Sequence, residues 1–138
     1  MSNVKSVEDV LNTTFDDLPE MSALPNDNDF IFEVIRYKPF QREGVAGVEF
    51  QARAVEDLSG TLDADALKNC FPSRATLFVH TEGGKRMTKA VLAKVFNIKM
   101  EQGQSLNDVI EDVIGGLFVA TTKANDKGYQ TLDNIRAA

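Results

Sequence analysis

The sequence predicts a mainly β fold with helices added, an α+β protein whose strands close into a small five-stranded Greek-key barrel. Three observations carry this prediction. Short runs rich in aromatic and β-branched residues alternate so that one face alone is apolar. A pair of helical patterns is inserted ahead of the last two runs. The chain of 138 residues, 43% hydrophobic and 26% charged, suits one globular domain that needs neither disulfide nor metal for its core.

Residues 1–29 read as an acidic arm. Ser6-Val7-Glu8-Asp9 has capping-box spacing before a short apolar stripe, so a brief helix is expected there, and TTFDDLPEMSALPNDND follows as an extended linker. This arm holds Glu8, Asp9, Asp16, Asp17, Glu20, Asp27 and Asp29 against Lys5 alone, which accounts for the whole formal charge of −6. Residues 30–138, the expected barrel, are neutral overall and do not repel a polyanion on net charge.

FIFEVIRYKPF is the first strand, with Phe30, Phe32 and Val34 on one face and a break expected near Pro39. QREGVAG turns the chain. In VEFQARAVEDL, Val48, Phe50, Ala52 and Ala54 point one way and Glu49, Gln51 and Arg53 the other, so this strand buries one face only. LSGTLDADALKNC holds a loop and a helical turn or two, in which the lone Cys70 reads as a small buried hydrophobe. RATLFVHTE is the third strand, centred on residues 77–79, and GGKR reads as a turn after it.

RMTKAVLAKVFNI has helical spacing at Met87, Val91, Leu92, Val95 and Phe96, with basic residues outside. Ser105 and Asp108 open a further helix, whose stripe is Leu106, Val109, Ile110, Val113 and Ile114. Gly115 and Gly116 stop it, and LFVATTK, the turn ANDKG and YQTLDNI supply the closing strands. Phe30, Phe32, Phe50, Phe78, Phe96 and Phe118 are the expected aromatic core.

Strands in this order, with helix before the last pair, are what an OB-like barrel requires. The stretches FIFEVIRYKPFQREGVAGVEFQARAVEDLSG, AVLAKVFNI and SLNDVIEDVIGGLFVATTKANDKGYQTLDNI also resemble phage-encoded single-stranded DNA-binding proteins of the OB-fold kind. The resemblance covers most of the chain, about residues 30–135. It implies sequence-tolerant binding of single-stranded DNA in phage replication or recombination, in the cytoplasm of the host cell. The chain departs from that pattern in ending Ile135-Arg136-Ala137-Ala138 instead of in an acidic partner-recruiting tail; the nearest equivalent is Phe15-Asp16-Asp17-Leu18-Pro19-Glu20 in the arm.

Single-strand binding needs cations along a groove and flat rings for bases to stack on. One candidate cluster is Arg36, Tyr37, Lys38, Phe40 and Arg42, with Arg53 on the next strand. The other is Lys123, Lys127 and Tyr129 on the last hairpin, with Lys85 and Arg86 as rim contacts. In an OB barrel both clusters flank the binding face. Bland readings compete: charges at strand ends are ordinarily solvated, and a tyrosine that begins a strand is commonly barrel wall.

No enzyme is expected, and no cofactor. His80 is the lone histidine and has no nucleophile at a telling spacing; GGKR lacks the phosphate-loop pattern; Asp27-Asn28-Asp29 lacks the glycine and distal glutamate of a calcium loop. MSNVKSVEDVLN is no secretion signal, and the apolar run broken by Gly115 and Gly116 is too short to span a bilayer. The expected partners are single-stranded DNA and, through the acidic arm, a replication or recombination protein, with a homo-oligomer left open. The arm is further expected to compete with phosphate for the basic clusters. The rival reading is a phage interaction or structural protein whose barrel binds a protein partner and no nucleic acid.

Overall fold

The computed structural model describes residues 21–138, so the helix and most of the acidic stretch expected in the arm lie outside the described residues. Strands β1 (Asp29–Arg42) and β2 (Val45–Asp57) make a long hairpin. Helix α1 (Ala64–Lys68) leads to β3 (Ser73–Phe78), then come α2 (Glu82–Lys94), α3 (Leu106–Val109) with a 3-10 turn at Ile110–Val113, β4 (Leu117–Ala124) and β5 (Gln130–Ala137). This is the expected order. The strands form one five-stranded antiparallel sheet, β3-β2-β1-β4-β5. Residues of the edge strands β3 and β5 approach within 8 Å between Cα atoms, so the sheet curls around its core, but no ladder among the described residues joins them.

The concave face carries the core. Phe30, Phe32 and Val34 of β1, Val48, Phe50, Ala52 and Ala54 of β2, and Phe118 and Ala120 of β4 are buried, together with Leu92, Val109, Ile110 and Val113 from the helical segment. Phe32 stacks on Phe118 at 5.4 Å between ring centroids, and Phe96 meets Phe118 edge-on at 5.9 Å. Each such side chain stabilises the fold by about 1.5–3 kcal/mol. Phe96 lies so close to the start of β4 that a Cβ at Gly116 would sit 2.7 Å from its ring, so the residue there must be glycine. Cys70 is buried, as expected.

Local rules explain the departures from expectation. β1 runs through Pro39 without a break, because β4 flanks it only from Asp29 to Glu33 and the strand thereafter has one edge unpaired among the described residues, where a missing N–H is tolerated. GGKR is the first turn of α2: Thr81 caps the helix, accepting the Gly84 N–H at 2.9 Å. Met87 is 69% exposed, and the inward position belongs to Thr88, whose hydroxyl donates to the Phe78 carbonyl at 3.1 Å. The Ser105–Asp108 capping box forms as expected, but the α-helix lasts only to Val109. The chain is drawn out beyond it because Gly115 N–H donates to the Val34 carbonyl and Val34 N–H to the Gly116 carbonyl, at 2.8 and 3.0 Å, which leaves Ile114 extended and half exposed.

Residues 21–28 are fastened to the sheet. Leu24 is 3% exposed, Ser22 bridges Cys70, and Thr122 donates its hydroxyl to the Pro25 carbonyl at 2.6 Å while its carbonyl accepts from Asp27. Asp29 accepts from the Thr121 hydroxyl and pairs with Arg136 at 3.1 Å; those two partners, Thr121 first, hold its carboxyl below the ordinary value. A truncation meant to test the acidic arm must therefore stop at Glu20.

The β1–β2 loop is Glu43-Gly44, with φ of 49° and 80°, the two-residue hairpin turn that favours Asn-Gly. Glu43→Asn therefore raises the urea midpoint, by about 0.5–1 kcal/mol in stability, without altering the slope. Asp57 is buried at the end of β2. Burial opposes its charge, yet bonds from the Ser59 hydroxyl and from the N–H groups of Leu62, Ser59 and Thr61 outweigh it and hold the carboxyl below its ordinary value. A lowered pKa means stability that is present above pH ~4 and drains away as the pH falls through the folded-state value. Asp57→Asn turns an amide N–H₂ toward one of those donors, so a loss of about 1–3 kcal/mol at pH 7 that shrinks at pH 3 is expected in urea titrations.

Candidate nucleic-acid interface

The outward face of the β1–β2–β3 half-sheet is set by a bulge. Val34 faces Ala52 and Arg36 faces Gln51, so Ile35 is an extra residue in β1. The inward set Phe30, Phe32, Val34 continues past it as Tyr37 and Pro39, opposite the buried Phe50 and Val48. Arg36, Lys38, Phe40 and Arg42 consequently point outward. Cross-strand pairing then makes rows: Arg36–Gln51–Arg74, Lys38–Glu49–Thr76 and Phe40–Gly47–Phe78.

These rows surround a cleft of about 540 Å³, lined by Arg36, Tyr37, Lys38, Phe40, Arg42, Glu49, Gln51 and Arg74. Beside the cleft, at Gly47, a Cβ would meet the Phe40 ring at 3.1 Å and the Leu77 carbonyl at 2.5 Å. The Phe40 ring covers that bare backbone and meets Phe78 edge-on at 6.2 Å; Phe78 in turn meets the exposed His80 ring at 5.8 Å. Arg36 donates through Nε to Gln51 Oε1, which aims its guanidinium along the face. Arg74 lies 3.6 Å from Glu49, a mostly exposed pair that a competing anion can open at little cost. Among the described residues Lys38 and Arg42 make no ion pair. The cleft thus sets four cations against one carboxylate.

The structure gathers the first candidate cluster into this cleft, apart from Arg53, which stands opposite Glu33 on the other half of the outward face. That half is apolar at Val55 and Leu117, 41% and 47% exposed. The second cluster divides. In the β4–β5 loop Asn125 Oδ1 accepts from the N–H groups of Lys127 and Tyr129, both at 2.9 Å, and Gly128 takes φ 81°, which thrusts Tyr129 out to 70% exposure. Tyr129 lines a second cleft of about 530 Å³ with Ala23, Phe71, Pro72, Ser73, Arg74 and Gln130, so Arg74 belongs to both clefts. Lys123 pairs with Asp133 across the hairpin at 3.9 Å, and neither it nor Lys127 lines either cleft. Lys85 borders a small apolar cavity with Thr88 and Lys89, while Arg86 is exposed on α2 and lines neither cleft.

Sequence reasoning missed Phe71, Arg74 and Phe78. Phe78 is 45% exposed instead of core, because Ser73, Ala75 and Leu77 take the inward positions of β3. Strict alternation counted from Ala75 would have placed Arg74 and Phe78 outside; the apolar character of phenylalanine masked that signal. Phe96 packs on the core, partly buried, and the remaining four phenylalanines of the expected core are buried. Among the described residues no group of three or more His, Cys, Asp or Glu side chains is placed to hold a metal ion, and no helix is long and apolar enough to cross a membrane. No protein-family model matches the chain, and no curated protein matches it significantly.

Proposed function

We propose that this protein binds single-stranded DNA, without sequence selection, along the outward face of β1, β2 and β3, and that it does so as an OB-type barrel serving phage replication or recombination. The observation that carries the reading is the cleft in which Arg36, Lys38, Arg42 and Arg74 surround Phe40 beside the exposed Phe78. The strand order supports the barrel: β1 is shared between the β2 and β4 ladders, α2 and α3 fall between β3 and β4, and β3 curls toward β5.

The chemistry is binding, not catalysis. Phosphates displace Glu49 from Arg74 and are met by Lys38 and Arg42, while bases stack on Phe40 and Phe78. Nothing on this face is arranged as a base-edge code, which is why the binding is tolerant of sequence. A protein-binding role rests on a different observation, the exposed Val55 and Leu117 beside Arg53 and Glu33. Oligonucleotide titrations separate the two.

Labelled oligo-dT, followed by fluorescence anisotropy, binds at micromolar or tighter dissociation constants at low salt. With the four cleft cations engaged, the logarithm of the association constant falls with a slope of about −3 against the logarithm of salt. Absence of binding at low salt favours the protein-binding role. Phe78→Ala weakens binding about tenfold while the urea midpoint barely moves, since the ring is half exposed in the free protein. Wild-type affinity in that variant would remove Phe78 from the site.

A further inference from the structure

The cationic cleft ends at Arg74, and a second cleft begins there. Arg74 lies on the outward side of β3, with Gln51 and Arg36 on one flank and the mouth of the Phe71–Tyr129 cleft on the other. That second cleft is bounded by two exposed aromatic rings from distant parts of the chain: Phe71, 54% exposed, from the segment between α1 and β3, and Tyr129, 70% exposed, from the β4–β5 loop. One exposed apolar side chain is ordinary, but two exposed rings bordering one cleft make the kind of patch that marks a binding surface. The backbone beneath each ring is fixed: Phe71 N–H donates to the Ser22 carbonyl at 2.9 Å, and Tyr129 N–H donates to Asn125 Oδ1 at 2.9 Å. The cleft wall also contains Ser73, a residue 6% exposed whose hydroxyl has no hydrogen-bond partner among the described residues. A buried hydroxyl without a partner is uncommon in folded proteins.

We infer that the Phe71–Tyr129 cleft is a second base-stacking subsite, joined to the first by Arg74, so that one nucleic-acid strand runs from the β1–β2 hairpin to the β4–β5 loop. The inference rests on the single-strand reading above and extends it to residues that lie outside the cationic cleft. Phe78 and Phe71 are seven residues apart on and just before β3, a separation of roughly 20 Å. That is too long for one or two nucleotides and falls within the span that OB folds occupy on a single strand, about 4–16 nucleotides. Arg74 is suited to the joint, because a guanidinium can bond one phosphate from two sides. The Tyr129 hydroxyl and the Gln130 side chain, which donates to the Leu24 carbonyl at 2.7 Å, form the polar border of the subsite.

The test compares wild type with the Phe71→Ala/Tyr129→Ala double variant, both on full-length protein, against dT3 and dT12. Both rings are exposed, so the fold is retained, which circular dichroism and the urea midpoint check. A trinucleotide occupies one cleft, and the longer strand occupies both. The expected result is a dT12-to-dT3 affinity ratio about tenfold smaller in the double variant, leaving only the gain from the greater number of binding frames on dT12. An unchanged ratio, with wild type binding both, overturns the second subsite and leaves the first untouched. Wild type that binds neither strand overturns the single-strand reading and this inference together.

Discussion

One extra residue decides which way the cations of β1 point. With uninterrupted alternation after Phe30, Phe32 and Val34, Arg36 would face the core, where an unpaired guanidinium has no water and no carboxylate. Ile35 absorbs the shift, and the strand resumes with Tyr37 and Pro39 on the side of Phe50 and Val48, Pro39 exposed beyond the core, and with Arg36, Lys38 and Phe40 on the opposite side. A bulge needs a place where the ladder can be disturbed. It falls where β4 leaves β1, just beyond Glu33, so the sheet loses little and the distal hairpin gains a different outer face from the proximal sheet.

That change of face places cations together on a sheet whose residues 30–138 are neutral overall, the formal charge of −6 lying in residues 1–29. Three carboxylates are engaged elsewhere. Asp57 closes the loop after β2, Asp29 ties β1 to Thr121 and Arg136, and Asp108 caps α3. Each of these acids accepts hydrogen bonds that hold the chain in place, and none of them lines the cleft, where Arg36, Lys38, Arg42 and Arg74 meet a single carboxylate. Glu49 is that carboxylate, and its largely exposed pairing with Arg74 is one that a competing anion can open at little cost.

Much of the fold was legible because it rests on period and punctuation. The β2 alternation, the Ser105 capping box and the Gly115 stop all came from short-range rules, and each is present, Gly115 with φ 83°. What failed depended on partners distant in sequence. Pro39 reads as a breaker until the absence of β4 beside it is known; the helix at Leu106 reads as long until Gly115 and Gly116 bond Val34. The site was legible in the same proportion. Arg36 through Arg42 lie close together in the chain and were found as a group, whereas Arg74 and Phe71 join them only through cross-strand pairing and loop packing. Phe78 was misplaced by composition, since a phenylalanine in a strand looks like core unless the strand's phase is counted.

The phase of β1 and β3 also sets which groups of the outward face are fixed and which can move. Phe40 is held over Gly47 from below and against Phe78 from the side, so its ring is ordered in the free protein, and on the proposed reading little side-chain freedom would be lost on stacking. The cations differ. Lys38 and Arg42 stand on a hairpin whose β1 edge has no second ladder among the described residues, and in the proposed complex their long side chains would follow phosphates whose positions vary with the bases between them. Fixed rings with mobile charges are the combination that stacking without base-edge readout requires, because every base offers a flat face but no two backbones lie quite alike. A face built the other way, with floating rings and clamped cations, would select for backbone shape instead.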